Sequence, residues 1–243
     1  MSETVKRALV TGGSGGIGAA ICRRLARDGN HVYVHARKGL DAAQKLADEI
    51  TAAGGSATAL HFDVTDAEGT RQALESALAS GPIQILINNA GVTDDAVLPG
   101  MSPDQWHRVI AVSVHGFFNV TQSLLMPMIR TRWGRIINIS SVTALIGNKG
   151  QVNYAAAKGA LNSATKALAI ELATRGITVN AVAPGIIDTP MSEGLFDAEA
   201  IARLVPMRRA GLPEEVAAVV AFLASAEASY VTSQIISVSG GMA

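Results

Sequence analysis

Several of the seven strand-like runs in this chain are apolar from end to end instead of at every second residue, and that pattern limits its fold most. The runs are RALVTG (Arg7–Gly12), HVYVHA (His31–Ala36), ATALHF (Ala57–Phe62), IQILIN (Ile83–Asn88), GRIINIS (Gly134–Ser140), ITVNAV (Ile177–Val182) and QIISVS (Gln234–Ser239). A strand with one wet face alternates, whereas a run without alternation is covered on both faces, as in a parallel sheet flanked by helices. Helical segments separate the runs. In IGAAICRRLARDG, Ile17, Ala20, Ile21 and Leu25 recur at helical spacing before the Gly29 stop,. Thr65 with Glu68 predicts one capping box, and Ser102 with Pro103 and Gln105 predicts a second with proline at the first helical position,. The expected fold is α/β, a doubly wound parallel sheet of about seven strands with helices on both faces.

With 243 residues, 49% hydrophobic and 16% charged, the chain is long enough for one well-buried domain and too apolar for disorder,. No linker, repeat or charge block divides it, so a single domain over residues 1–243 is expected,. The irregular stretch at about 187–206 reads as a substrate lid,. Lys plus Arg and Asp plus Glu number 20 each, which leaves no global field to recruit nucleic acid or an anionic membrane,. The longest uncharged apolar stretch, Val216 to Ala226, falls well short of the roughly 20 residues of a membrane helix, so a soluble, cytoplasmic protein is expected,. Cys22 is the sole cysteine, and His35, His61 and His115 lack metal-ligand spacing, so no internal disulfide and no metal are expected,.

The stretch VTGGSGGIG at residues 10–18 supports two chemistries. Gly12, Ser14 and Gly16 spell the elbow that presents a nucleophilic serine in hydrolases, but the same glycines suit a loop that cradles a dinucleotide phosphate,. An elbow needs a histidine late in the chain, and none follows His115,. The phosphate reading requires polar or glycine-rich sequence at several strand ends. Arg37 and Lys38, Asp63, Asn88 to Gly91, Ser140 with Ser141, and Pro184 with Gly185 supply it. Gly12, Ser14, Gly15, Gly16, Ile17 and Gly18 are therefore candidate cofactor-binding residues. A carboxylate after the second strand would bind a ribose 2′-hydroxyl; Arg37 and Lys38 stand there instead and suit the 2′-phosphate of NADP,.

Tyr154 and Lys158 in YAAAK are four residues apart, hence on one helical face,. A phenol near pKa 10 is a poor proton donor at neutral pH, and a neighbouring ammonium draws it down. Ser141, ending the fifth strand, faces the same rim.

Taken together, TGGSGGIG, DVTD, NNAG, ISS, YAAAK, PG with DTPM, and SGGM closely resemble, in order and spacing, the short-chain dehydrogenase/reductase family, in particular its 3-oxoacyl-acyl-carrier-protein reductases. The resemblance covers essentially the whole chain. It implies a Rossmann-type fold, with Tyr154 as proton donor to a carbonyl, Ser141 orienting that carbonyl, and Lys158 lowering the tyrosine pKa and binding ribose. It also implies Asp63 and Val64 at the adenine, Asn89, Ala90 and Gly91 along the cofactor, Pro184, Gly185 and Ile187 beside it, and Thr189 at the carboxamide. Hydride then passes from NADPH to the keto carbon of a 3-oxoacyl thioester on acyl carrier protein, in fatty-acid or aryl polyene/polyketide-type biosynthesis. Arg132 and Arg175 match the family's carrier-docking positions, and a homotetramer is expected.

Two positions depart from the family. Ser113 stands where its fourth catalytic residue, an asparagine, is expected, and Gly15 where many NADP-dependent relatives carry a basic side chain. Two other functions compete: reduction or oxidation of a free small ketone, secondary alcohol or sugar, and a non-catalytic NADP-binding sensor. Turnover of an acetoacetyl thioester separates them.

Overall fold

The computed structural model describes residues 5–190, 192, 194 and 197–243. Its strands are β1 (Arg7–Val10), β2 (His31–Ala36), β3 (Ser56–His61), β4 (Ile85–Asn88), β5 (Gly134–Ile139), β6 (Ile177–Pro184) and β7 (Ile235–Val238). They form one sheet in the order β3-β2-β1-β4-β5-β6-β7, and every neighbouring pair is parallel. The doubly wound α/β sheet expected from the apolar runs is the one observed. Strand edges shift slightly: β4 starts at Ile85 instead of Ile83, and β3 begins one residue early.

The α-helices among the described residues are α1 (Gly16–Arg27), α2 (Leu40–Ala52), α3 (Ala67–Leu78), α4 (Pro103–Ile110), α5 (Gly116–Thr131), α6 (Thr143–Ile146), α7 (Val152–Leu172), α8 (Ala198–Leu204) and α9 (Pro213–Ala224). Side chains from β1 show why the strands do not alternate. Ala8 and Val10 enter a core with Ile21 and Leu25 of α1, Ile50 of α2 and Val220 of α9. Leu9 enters the opposite core, with Leu74 of α3, Leu124 and Met128 of α5, and Leu172 of α7. β4 divides likewise, Ile85 and Ile87 against Leu86. Each fully buried side chain of this size contributes about 1.5–3 kcal/mol, so a polar residue at either face would be costly.

Capping follows the sequence in one place and departs from it in another. Ser102 and Gln105 form the expected box, with Pro103 opening α4. The box expected at Thr65 and Glu68 does not form. The Asp66 carboxylate caps α3 by accepting from the Gly69 N–H at 3.1 Å, while the Thr65 hydroxyl turns to Asp63 at 2.7 Å. A carboxylate is the stronger acceptor at a helix N-terminus, and it displaces the start by one residue.

α4 and α5 run on as one 29-residue helical segment, Pro103–Thr131, joined by a π turn at Ala111–His115. By length, and by a mean hydropathy of 1.4 over its most apolar 18 residues, this segment could cross a membrane, which the shorter Val216–Ala226 could not,. Val109, Val112, Val120, Leu124 and Met128 are buried, and most of them sit in the α3–α5–α7 core, so one face of the segment packs into the protein interior. In the stretch at 187–206, α8 starts at the Asp197 cap, whose side chain accepts from Ala200 N–H at 2.7 Å, and Val205 is buried. Met191, Glu193, Leu195 and Phe196 of the expected lid lie outside the described residues.

Candidate active site

Strand order reverses between β1 and β4, which opens a crevice at their carboxyl ends, where ligands of open α/β sheets bind,. The glycine loop sits there. Gly12 and Gly16 have φ of +62° and +46°, in the left-handed region,. A Cβ on Gly18 would collide with the carbonyl oxygen of Gly12, so α1 packs on the loop only because residue 18 has none. Gly15 precedes α1 without a side-chain cap, leaving the first amides of the helix available to a phosphate,. Nothing lies within 4 Å of a Cβ built on Gly15, so the space for a basic side chain exists there. Ile17 packs against the α1 core. Ser14 makes no side-chain hydrogen bond to a histidine among the described residues, and nothing around it builds a hydrolase elbow.

Two residues that the sequence reading left aside fasten this loop. His35, 1% exposed at the end of β2, accepts the Gly12 N–H at Nδ1 (3.0 Å), and its Nε2 faces the Phe62 carbonyl at 2.9 Å. Because Nδ1 must accept, Nε2 carries the proton and donates to Phe62. Burial pushes the imidazole down to about 4, so the ring stays neutral. Thr11 Oγ1 accepts from the Asn89 and Ala90 amides, both at 3.0 Å, and Asn89 Nδ2 donates to the carbonyls of Thr11 (2.9 Å) and Gly12 (3.0 Å). Asn89 thus carries the loop on its side chain.

At the nucleotide end, Arg37 and Asp63 face each other at 3.5 Å, both partly exposed. Burial pushes the Asp63 carboxyl up, but two hydrogen bonds from Thr65 and the Arg37 charge outweigh it and hold the group below its usual range. A 2′-phosphate would compete with this carboxylate for Arg37. Lys38 is exposed beside it. Val64 is buried, its carbonyl accepting from Asn119 Nδ2 at 2.9 Å, and a Cβ on Gly116 would stand 2.9 Å from its side chain. The Val64 side chain therefore serves packing.

At the other end, β5 delivers Ser141, whose Oγ accepts the Thr143 N–H at 3.1 Å. α7 delivers Tyr154 and, one turn on, Lys158. The Lys158 ammonium is buried, donates to the Ile139 carbonyl at 2.8 Å and lies 5.6 Å from the Tyr154 ring centre. Gly91 makes this possible, since a Cβ there would stand 3.2 Å from Nζ. Thr189 reaches over the loop, its Cγ2 3.3 Å from the site of a Cβ on Gly16. Ile187 is buried and paired with Gly211, and Gly185 lies so close to Ser239 that a Cβ would stand 2.9 Å from its Cα. Pro184 ends β6. Ser113 lies in the π turn, 2% exposed, with no partner for its hydroxyl among the described residues. Apart from Arg132 and Arg175, the expected positions lie on the segments at this end of the sheet, where the glycine cradle and the cations Arg37 and Lys38 would suit an NADP-type dinucleotide.

The electrostatics depart from the sequence expectation. Burial raises the Tyr154 phenol above its ordinary value; Ser141 lowers it in opposition, and the Asp95 charge raises it further. Burial pushes Lys158 down to about 8, so it has lost its charge at the pH where the phenol ionises and does not lower it there; below about 8 the ammonium is present, donating to the Ile139 carbonyl.

Outside the crevice, Arg132 and Arg175 lie together at the opposite end of the sheet, where β5 and β6 begin, with Arg132 donating to the Thr174 carbonyl at 3.1 Å. The helical path from Tyr154 to Arg175 is about 30 Å at about 1.5 Å per residue, so within one chain these arginines are not at the active-site entrance. A groove of about 510 Å³ between α1, α2 and α9 also lies away from Tyr154, and its Arg23 and Arg24 pair with Glu49 and Asp28.

A glycine-cradled crevice at the sheet's reversal, with a serine, a tyrosine and a buried lysine at one end, defines a nucleotide-dependent oxidoreductase of the short-chain type. The chain belongs to the short-chain dehydrogenase family, whose model matches residues 6–200. It is 44% identical over its whole length to the 3-oxoacyl-acyl-carrier-protein reductase FabG of Aggregatibacter actinomycetemcomitans, with all of both chains covered. It is 43% identical to Nodulation protein G of Azospirillum brasilense, with 98% of each chain covered. Among solved structures it is similar to a gluconate 5-dehydrogenase from Burkholderia cenocepacia in complex with NADP and tartrate, at 35% identity and a TM-score of 0.93, with 98% of this chain and 94% of that one covered.

Proposed function

We propose that this protein reduces the ketone of a 3-oxoacyl thioester, carried on acyl carrier protein, to the 3-hydroxyacyl thioester. The observation that carries the reaction type is the convergence of Ser141, Tyr154 and Lys158 at the crevice end that Gly91 leaves open. NADPH bound along the crevice supplies the hydride. Gly12, Gly16, Gly18 and the first amides of α1 would hold its pyrophosphate, Arg37 and Lys38 its 2′-phosphate, and Lys158 its ribose. Ser141 Oγ accepts from Thr143 and its hydroxyl pairs with Tyr154, so a substrate carbonyl oxygen placed at these two groups would take its proton as a hydrogen bond,. Tyr154 then gives its proton to the oxygen as charge develops there, and the Lys158 ammonium favours the phenolate left behind. A raised phenol pKa keeps Tyr154 protonated, as a donor requires.

The rim favours an acyl chain. Leu145, Ile146 and Val152, on the segments flanking Tyr154, are large apolar side chains left exposed, as are Val97 and Leu98 on the segment that the Ala96 N–H ties to the Gly150 carbonyl at 2.9 Å. The Asp95 carboxylate, near enough to raise the Tyr154 pKa, repels an anionic substrate,. Gluconate-type acids, the substrates named for the Burkholderia relative, meet the wrong charge and the wrong surface. A carrier docked on Arg132 and Arg175 would have to serve the site of another copy, in keeping with a homotetramer. Placement of the reaction in the cytoplasm, in a single-domain enzyme with a lid at 187–206, belongs to the same proposal.

The test is NADPH oxidation with acetoacetyl thioesters, carrier-bound and free, beside 5-ketogluconate. Turnover of the thioester supports the proposal. Exclusive turnover of the sugar acid supports the alternative, and NADPH binding without turnover of either supports a sensor.

A further inference from the structure

The loops that meet at Tyr154 are joined by one side chain the reaction does not use. Gln151 stands immediately before α7, three residues ahead of Tyr154. Its Nε2 donates to Asp95 Oδ2 at 2.8 Å, on the segment after β4. Its Oε1 accepts from the Thr143 hydroxyl at 3.3 Å and from Asn148 Nδ2 at 3.0 Å, both on the segment after β5. Two donors on one side and a carboxylate on the other fix which way the amide points. Thr143 continues the chain, because its N–H donates to Ser141 Oγ. Asn153 makes a parallel brace on the buried side: its Nδ2 donates to the Asp94 carbonyl at 2.9 Å, and its Oδ1 accepts the Tyr154 N–H at 2.8 Å.

We propose that Gln151 is a positioning residue that couples Asp95, through Thr143, to the Ser141 hydroxyl, and so sets the distance between the two groups that receive the ketone oxygen. The inference rests on the carbonyl-reductase reading for its kinetic consequence, but not for its structural one. Ser141 and Tyr154 belong to different elements, one after β5 and one in α7, which are tied on the buried side where Lys158 Nζ donates to the Ile139 carbonyl at 2.8 Å and Ser140 Oγ to the Lys158 carbonyl at 3.3 Å, but not at the rim. The Gln151 amide spans that gap. A shift of one ångström between reacting groups is enough to cost about 100-fold in rate.

The donor–acceptor order makes the proposal testable by exchange of partners. In Gln151→Glu a carboxylate faces the Asp95 carboxylate, and the bridge opens by repulsion. In Gln151→Glu with Asp95→Asn the order is reversed: Asn Nδ2 donates to the glutamate, whose other oxygen still accepts from Thr143 and Asn148. The expected result with an acetoacetyl thioester is a kcat about 10- to 100-fold lower in the single variant, with the KM for NADPH unchanged, and recovery to within about threefold in the double variant. Amide hydrogen exchange at Thr143 is read on the same proteins without substrate. Exchange should quicken in the single variant and slow again in the double. Wild-type kcat in Gln151→Glu, no recovery in the double variant, or Thr143 exchange indifferent to both changes overturns the proposal. Absence of ketone turnover in the wild type overturns the functional reading alone, and the exchange data still decide the clamp.

Discussion

The Gly12 N–H donates to Nδ1 of His35, a bond that only a neutral imidazole accepts. The ring's pKa falls from its usual 6.5 to about 4 through burial. Between those values the unfolded chain binds a proton that the folded chain refuses. Stability is therefore full above pH 6.5, falls as pH drops toward 4, and loses about 3 kcal/mol across that window from this group,. Urea denaturation of the wild type and His35→Gln at pH 7 and pH 5 checks it. The variant should lose less on acidification, and it should bind NADPH more weakly even at pH 7. Equal pH slopes would show that the imidazole titrates as freely in the fold as in the unfolded chain.

The same logic at the other end of the crevice predicts a pH profile for reduction. Lys158 is charged only below about 8, and on the proposed mechanism its charge stabilises the phenolate left when Tyr154 gives up its proton,. The kcat of ketone reduction should hold at neutral pH and decline as pH rises through about 8. Tyr154→Phe should lower kcat by about 10²- to 10⁴-fold, with NADPH affinity retained. A flat profile up to pH 10 would remove the lysine from the chemistry.

Much of this was legible because strands buried on both faces leave a signature that local sequence carries. Ala8, Leu9 and Val10 had to be apolar whichever core each entered. The placement of Ser141 after a strand, and of Tyr154 and Lys158 one turn apart, was legible for another reason: strand end and helical spacing are one-dimensional facts. The supports were not. His35 holds a loop 23 residues away, and Asn89 one 77 residues away, and neither pairing leaves a periodic trace. The buried ladder in which Asn88 Nδ2 donates to Asn138 Oδ1, and Asn138 Nδ2 to Thr165 Oγ1, is likewise a property of strands meeting in space. The Tyr154 pKa was misjudged because desolvation depends on what covers a group, and spacing says nothing of that.

On the proposed NADP reading, cofactor choice rests mainly on Arg37 and Lys38, and Arg37 is the one with a partner to displace. Its guanidinium is shared with Asp63 at 3.5 Å, and both side chains are partly exposed, so the pair is loose enough for a phosphate to displace the carboxylate,. Hydrogen bonds to a charged group contribute about 1.5–3 kcal/mol, so Arg37→Ala should raise the KM for NADPH about 10- to 100-fold. The KM for NADH should change little. A wild-type preference for NADH in parallel kinetics would overturn the NADP assignment.

Ser113 offers the sharpest separation of stability from activity. Its hydroxyl is buried in the π turn without a partner among the described residues, and an unsatisfied buried polar group costs about 1–3 kcal/mol,. π turns and orphaned polar groups are features that folds retain at functional sites. Ser113→Ala removes the orphan and leaves only a small void, so it should raise Tm by a few degrees, in line with about 1 kcal/mol. If the hydroxyl takes part in returning a proton toward Lys158, the same variant should lower kcat about tenfold. Stability and rate then move in opposite directions, which a packing role cannot produce. On that reading Ser113→Asn, which restores the side chain the resemblance leads one to expect, should stay within about tenfold of wild-type kcat. A gain of several orders of magnitude in that variant would mean that the natural chain is an impaired reductase.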